Sequence, residues 1–148
     1  MSRHQIFVAL LMIVGAFGCS APEPKAISYG KDQCAACKMG VSDSKFGAEA
    51  VMSTGKTYVF DSPECMIDFV ESKAINSNDV HSLWVTDFVN PGTLIDARSA
   101  WYLQSDMIRS PMGLNAAAFT TQHDAERARI NYVGTIHRYD DVVKLVME

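Results

Sequence analysis

Residues 47–60 contain two short hydrophobic segments joined by a polar turn. Ala48–Met52 alternates loosely, and Thr57–Phe60 is rich in β-branched and aromatic residues, which favour strands. Gly55 lies in the turn between them and supplies the positive φ of a tight hairpin. The sequence therefore predicts a β-hairpin in this part of the chain.

A helix and a further strand are predicted after the hairpin. Ser62 is a favourable N-cap residue, and Pro63 occupies the first helical position. Hydrophobic side chains then recur at the spacing of one buried helix face, at Met66, Phe69 and Val70. The polar residues 76–78 are expected to end the helix, and residues 82–89 predict the next strand.

The second half of the chain repeats this order of elements. Its predicted strand, strand, helix, strand and closing helix cover residues 100–103, 116–119, 122–130, 132–136 and 139–147. The expected fold class is α+β, with two small tandem ββαβ-like units at about 46–90 and 98–148, packed as one compact protein. The repeated order of elements indicates a divergent duplication.

Composition and charge narrow the class of protein. The 148 residues are 48% hydrophobic and 20% charged, which is typical of a globular chain with one ordinary domain or two very small ones. The formal net charge is −4, and no stretch is strongly basic. Nucleic acid is therefore not an expected partner.

The N-terminal residues have the features of a secretion signal. Arg3 precedes an unbroken hydrophobic run over residues 6–17, which is shorter than the about 20 residues that span a bilayer. We therefore predict a signal peptide at residues 1–18. Cys19 follows small residues, as in the lipobox of bacterial lipoproteins, and is the predicted lipidation site. Residues 19–27 contain two prolines and are predicted to form a flexible tether outside the cytoplasm.

Three sulfur side chains lie within six residues in a polar segment. Cys34 and Cys37 are three residues apart and can face one centre, and Met39 can turn toward the same side. Thiolates and thioethers are soft ligands, and among biological metals they suit Cu(I) best. The pattern favours a Cu(I) site because that interpretation alone accounts for Met39.

Three other interpretations of Cys34 and Cys37 remain open. A structural zinc site needs four ligands, and the chain has neither a second Cys-x-x-Cys motif nor a closely spaced histidine pair. A redox motif is expected at a helix N-terminus, which the residues after Cys37 do not predict. A simple local disulfide is the third alternative.

Further sulfur residues lie outside this segment. Pro111 and Gly113 bracket Met112 in a turn that can present its side chain outward, so Met112 is a candidate ligand. Met107 is expected to fill the hydrophobic interior. Cys65 lies in the first turn of the predicted helix and is expected in the core, with metal ligation or thiol relay as the alternative.

These motifs together resemble the NosL family of nitrous-oxide-reductase accessory lipoproteins. The shared features are the cysteine after the signal core and three short motifs. The motifs are Asp32-x-Cys34-x-x-Cys37-x-Met39, Tyr58-x-Phe60-Asp61-Ser62-x-x-Cys65-Met66, and Pro111-Met112-Gly113 followed by Ala118-Phe119. The resemblance covers nearly the whole chain after residue 18.

The resemblance implies a periplasmic Cu(I) chaperone built from two ββαβ units. By motif position, Cys37, Met39 and Met112 match the family's copper ligands, and Cys34 is a further candidate. The implied partners are a NosDFY-like membrane complex and nitrous oxide reductase, with a lipid anchor holding the protein at the periplasmic side of a bacterial membrane. The expected function is binding and transfer of copper without turnover. The alternative is an enzyme, a periplasmic thiol–disulfide reductase acting on a cuproprotein.

Overall fold

The structure is a computed structural model that describes residues 20–148. The predicted signal peptide and the predicted lipidation at Cys19 lie outside the described residues. Among the helices of residues 20–148, none combines the length and the hydrophobicity needed to cross a membrane.

Within residues 20–148, the fold consists of seven strands and three α-helices. The first half contains β1 (Ala48–Met52), β2 (Thr57–Phe60), α1 (Pro63–Glu71), β3 (Val80–Thr86) and β4 (Leu94–Asp96). A short 3-10 helix at Ser77–Asp79 lies between α1 and β3. The second half contains β5 (Trp101–Gln104), β6 (Ala116–Phe119), α2 (Gln122–Asn131), β7 (Thr135–Arg138) and α3 (Tyr139–Met147).

The two sheets have the same order in three of their strands, with the first strand of each unit in the middle. In the first, β1 lies between β2 and β3, and β4 extends the outer edge of β3. In the second, β5 lies between β6 and β7. All of these pairings are antiparallel. The predicted α+β class with two ββαβ units is therefore confirmed, while the divergent duplication stays a prediction.

Each unit starts its helix in the same way. The Ser62 side chain accepts a hydrogen bond from the Cys65 backbone N–H at 3.3 Å, and the Thr121 hydroxyl accepts one from the Asp124 N–H at 3.1 Å. Both caps follow the last residue of a strand by two positions, after Phe60 and Phe119. An N-cap of this kind satisfies a helical N–H that would otherwise have no partner.

Several predicted boundaries were wrong. Helix α1 ends before residues 76–78, since Lys73 already has a left-handed backbone with φ of 62°. The predicted strand 82–89 lies at Val80–Thr86 because the next residues leave its sheet. There, the Phe88 N–H donates to the Ala118 carbonyl at 2.8 Å and joins the two halves.

The predicted strand at 132–136 begins three residues later than expected, at Thr135–Arg138. Tyr132 caps α2, with its N–H donating to the Ala128 carbonyl. Gly134 then passes so close to β5 that a Cβ there would lie 2.0 Å from the Gln104 carbonyl oxygen. Strand β4 was not predicted at all.

The end of the predicted tether contacts the folded domain. The backbone N–H of Lys25 donates to Glu49 Oε1 at 2.9 Å, and Ile27 is part of the main hydrophobic core. Ile27 is thus packed, whereas Lys25 and Ala26 are exposed, and none of these residues forms a helix or a strand.

Candidate metal centre

The Cys-x-x-Cys segment is a tight turn closed by backbone hydrogen bonds. The Cys34 N–H donates to the Met39 carbonyl at 2.8 Å, and the Lys38 N–H donates to the Cys34 carbonyl at 3.0 Å. Lys38 adopts a left-handed backbone with φ of 66°, which turns the chain at this point. The Ala35 N–H donates to the Val59 carbonyl at 2.8 Å. This bond anchors the turn on β2.

The start of α1 supplies two further groups. β2 ends at Phe60, so Asp61 and the N-cap residue Ser62 form the connection to α1. The cap fixes the first helical turn and places Cys65 beneath the Cys-x-x-Cys turn. The side chains of Asp61 and Cys65 are both buried.

These two segments bring four candidate ligands to one point. The sulfur atoms of Cys34, Cys37 and Cys65 and a carboxylate oxygen of Asp61 all lie within 4.8 Å of one another. All three cysteines are free thiols. Cys37 is half-buried, whereas Cys34 and Cys65 are buried. We refer to these four residues as the thiol cluster.

Hydrogen bonding within the thiol cluster shifts the pKa values of Cys34 and Cys65 in opposite directions. The Cys65 thiol donates to Cys34, which lowers the pKa of Cys34 to about 6 despite the opposing effect of burial. Backbone hydrogen bonds from residues 36, 37 and 61 lower the pKa of Cys34 further. The same bond to Cys34 raises the pKa of Cys65 far above the ordinary value of a thiol. These opposite shifts favour the thiolate form of Cys34 and the protonated form of Cys65.

Cys37 donates a hydrogen bond to the carboxylate of the cluster. Its thiol donates to Asp61 Oδ2 at 3.4 Å, and desolvation by burial raises its pKa. The other oxygen of Asp61, Oδ1, is buried and has no partner within residues 20–148. The cluster therefore holds protons that a bound cation would displace, because a metal binds the thiolate form.

The predicted methionine ligands lie at the surface of the protein. Met112 lines an open cleft of about 350 Å³ whose walls are formed by α1, the 112–114 loop and α3. Cys65 and Glu64 line the same cleft. Met39 follows Cys37 by two residues, and its side chain is 49% exposed, close to the 48% of Met112. Each thioether is thus accessible to solvent.

The structure brings together part of the predicted set. Cys34 and Cys37 meet in the thiol cluster, and Met112 shares a cleft with Cys65. Cys65 is buried as expected, yet its sulfur also belongs to the cluster. The expectation that Met107 fills the interior was wrong, since its side chain is 60% exposed.

Asp61 was missed as a site residue. The sequence feature that could have identified Asp61 is its position in the motif Phe60-Asp61-Ser62-x-x-Cys65, one residue before the helix cap. The thiol cluster is built from cysteine and aspartate alone. His81 and His137 lie in strands β3 and β7, and His123 lies in α2.

The fold and the cluster define a small α+β protein with a sulfur-rich candidate metal centre on the first of its two ββαβ units. The sequence profile of the NosL family matches residues 25–147, and the chain belongs to this family. The resemblance seen in the sequence motifs is thereby confirmed.

Two relatives extend this finding. The copper-binding lipoprotein NosL of Stutzerimonas stutzeri is 24% identical, in an alignment that covers 95% of this chain and 80% of that protein. The crystal structure of the copper chaperone NosL from Shewanella denitrificans matches with a TM-score of 0.69 at 23% identity. That match covers 82% of this chain and 96% of the other. The structural likeness confirms the fold.

Proposed function

We propose that this protein is a copper metallochaperone that binds Cu(I) at the thiol cluster and releases it to an acceptor. The observation that carries the proposal is the convergence of three free thiols. Exposed thioethers lie two residues after Cys37, at Met39, and in the cleft that Cys65 lines, at Met112. The names of both relatives, a copper-binding lipoprotein and a copper chaperone, support it. The proposed ligands are Cys34, Cys37, Met39 and Met112, with Cys65 added by the geometry.

The donor set favours Cu(I) over harder ions. Thiolates and thioethers are soft, polarisable ligands that select Cu(I). A thioether is neutral and never protonated, so Met39 and Met112 can bind the ion at any pH without displacing a proton. Because both lie at the surface, they are placed to meet an incoming or departing ion before the buried thiols do. This arrangement suits transfer better than permanent storage.

A structural zinc site is the second candidate function. Three thiols and the Asp61 carboxylate supply the four donors that a tetrahedral zinc site needs. In that case the exposed methionines would take no part in binding. Methionine substitutions therefore separate the two candidates.

A thiol–disulfide reductase fits the structure less well. A reactive cysteine of that class combines a low pKa with access to its substrate. Here Cys34 has the lowered pKa but is buried, whereas Cys37 is partly accessible but has a raised pKa. The two properties fall on different residues.

We also propose where the protein is located and which proteins receive its copper. A signal peptide over residues 1–18, a lipid on Cys19 and the tether 19–27 would hold the domain at the periplasmic side of a membrane. The lipoprotein name of the relative from Stutzerimonas stutzeri supports this placement. A NosDFY-like membrane complex would receive the copper, with nitrous oxide reductase as its destination.

Competition for Cu(I) with a coloured chelator under anaerobic, reducing conditions tests the binding site. We expect uptake of about one equivalent, with affinity reduced at least about tenfold when Met39→Ala and Met112→Ala are combined. Met107→Ala is the matched control, because Met107 is also an exposed methionine. Sulfur scatterers at Cu(I) distances in copper-edge X-ray absorption would identify the ligand class.

The opposite result is equally specific. If the double methionine variant binds Cu(I) as tightly as the unaltered protein, the methionines are not ligands. If the unaltered protein gains thermal stability from Zn²⁺ but not from Cu(I), the zinc function replaces the copper function.

A further inference from the structure

Glu64 is a buried carboxylate beside the thiol cluster that the proposed copper site does not use. It lies in the first turn of α1, next to Cys65, and its side chain is only 6% exposed. Burial raises its pKa. Burying a carboxylate is unfavourable unless hydrogen bonds compensate for its lost hydration. The partners of Glu64 therefore indicate its role.

Two donors to Glu64 come from one loop far along the chain. The Ser110 hydroxyl donates to Glu64 Oε1, and the Leu114 backbone N–H donates to the same oxygen at 3.2 Å. Oε2 is buried and has no partner within residues 20–148. The two ends of the 110–114 loop thus supply part of the compensation for burial, beside hydrogen bonds from the Ser62 side chain and the backbone of Glu64.

The loop itself is tightly closed, with Met112 near its tip. The Ser110 hydroxyl oxygen accepts from the Asn115 N–H at 2.8 Å, and the Asn115 side chain accepts from the Ser110 N–H at 3.2 Å. The Gly113 N–H donates to the Ser110 carbonyl at 3.2 Å, and Gly113 has a φ of 88°. Glu64 is hydrogen-bonded to Ser110 and Leu114, which lie two residues before and two residues after Met112. The thioether of Met112 itself stays exposed.

We propose that Glu64 is a positioning residue that fixes the Met112 loop against α1 and so holds the Met112 sulfur in the cleft beside Cys65. This inference rests on the proposed function, since it assumes that Met112 is a copper ligand. Groups that orient metal ligands through hydrogen bonds contribute strongly to metal affinity. A loop that lost this anchor would present Met112 in many orientations.

Glu64→Ala removes the acceptor, whereas Glu64→Gln keeps a carbonyl oxygen of the same reach. We expect Glu64→Ala to weaken Cu(I) affinity about 10- to 100-fold, and Glu64→Gln to restore most of it. Ser110→Ala removes the donor of the same hydrogen bond from the loop side, and it should also weaken Cu(I) affinity. Glu71→Ala, an equal charge change at the exposed end of the same helix, is the matched control and should bind normally.

Two further measurements separate positioning from a general structural role. In a Met112→Ala background, Glu64→Ala should cost less than about threefold in affinity, because its effect passes through Met112. In the copper-free protein, the amides of residues 110–115 should exchange hydrogen faster in Glu64→Ala than in Glu64→Gln. The cluster turn at residues 34–39 should exchange equally in both.

The outcomes are distinguishable. If Met112→Ala weakens copper binding but Glu64→Ala does not, or if Glu64→Ala is equally harmful without Met112, only the positioning role is overturned. Unchanged exchange at residues 110–115 in Glu64→Ala also overturns it. If Met112→Ala binds copper normally, the proposed ligand set and the positioning role are overturned together.

Discussion

The thiol of Cys37 donates a hydrogen bond to Oδ2 of Asp61 across 3.4 Å, joining two residues 24 positions apart. The contact links the Cys-x-x-Cys turn to the connection between β2 and α1. Cys37 is also the only one of the three thiols in residues 20–148 that is partly exposed. It is therefore where the thiol cluster meets solvent, and Asp61 accepts the hydrogen bond from its S–H group.

This contact predicts an order of thiol reactivity. In the reduced, copper-free protein, iodoacetamide should modify Cys37 well before Cys34 or Cys65, because burial shields the other two. Asp61→Asn should speed modification of Cys37, since removal of a nearby negative charge favours the thiolate. Mass spectrometry of the modified peptides measures all three rates.

Asp68→Asn is the matched control for that measurement, because Asp68 is an exposed carboxylate on α1, outside the thiol cluster. It should leave the labelling rates unchanged. Loading with one equivalent of Cu(I) should protect Cys37. Labelling of Cys37 at the same rate with and without bound Cu(I) would show that its sulfur is not a ligand.

The lowered pKa of Cys34 predicts a pH dependence of stability in the copper-free protein. Between the folded pKa of about 6 and the ordinary value of 9.0, the unfolded chain holds a proton on Cys34 that the folded chain has lost. The free energy of unfolding therefore rises with pH across this window, and the contribution is lost as pH falls through about 6.

Above pH 9 the sign reverses. The pKa of Cys65 is raised in the fold, so the folded chain then holds the extra proton and stability falls as pH rises further. Urea unfolding under reducing conditions at several pH values measures both the rise in stability below pH 9 and the fall above it. The Cys34→Ser variant keeps all other titrating groups and should lose the rise between pH 6 and 9. A rise of equal size in that variant would assign it to other groups.

The local signals in the sequence predicted much of the fold. Hairpin β1–β2, the start of α1 at Pro63, strand β6 and helix α3 lie where the pattern indicated. Each of these is set by nearby residues, such as the Ser62 cap. Other predictions failed because a distant contact decides the structure, as at Phe88, which follows β3 and donates a hydrogen bond to Ala118. Spacing along one segment carries no information about such a contact.

The same limit applies to the site. The Cys-x-x-Cys spacing shows that Cys34 and Cys37 can face one centre, because a short turn fixes their separation. Nothing in the spacing shows that the α1 N-terminus packs under that turn, so the cluster membership of Cys65 and Asp61 appears only in the fold. The burial of Met66 was predictable from helix periodicity, whereas the exposure of Met107 was not.

Gly134 supports a third prediction, about packing of the second sheet. An alanine Cβ there would lie 2.0 Å from the Gln104 carbonyl oxygen, which is backbone and cannot move aside without disturbing β5. We expect Gly134→Ala to destabilise the protein by about 1–3 kcal/mol, as other overpacking substitutions do. Urea unfolding measures the change.

Gly40→Ala is its control. A Cβ at Gly40 would have no neighbour within 4 Å, and the backbone there is not left-handed. That variant should be nearly as stable as the unaltered protein. Equal stability losses in the two variants would show that the close approach at Gln104 is not the cause.

A final prediction concerns residues 20–27, which would connect the domain to the proposed lipid anchor. The Lys25 N–H is the hydrogen-bond partner of the buried Glu49 side chain, and Ile27 packs in the core. A chain that begins at residue 28 should therefore be less stable than one that begins at residue 20, by about 2–4 kcal/mol, since it loses apolar burial and leaves the carboxylate unpaired. Burial raises the pKa of Glu49, so Glu49→Gln should recover part of the loss in the shorter chain by removing the buried charge. Thermal unfolding of the four proteins measures this coupling, and equal melting temperatures for the two lengths would show that residues 20–27 act only as a spacer.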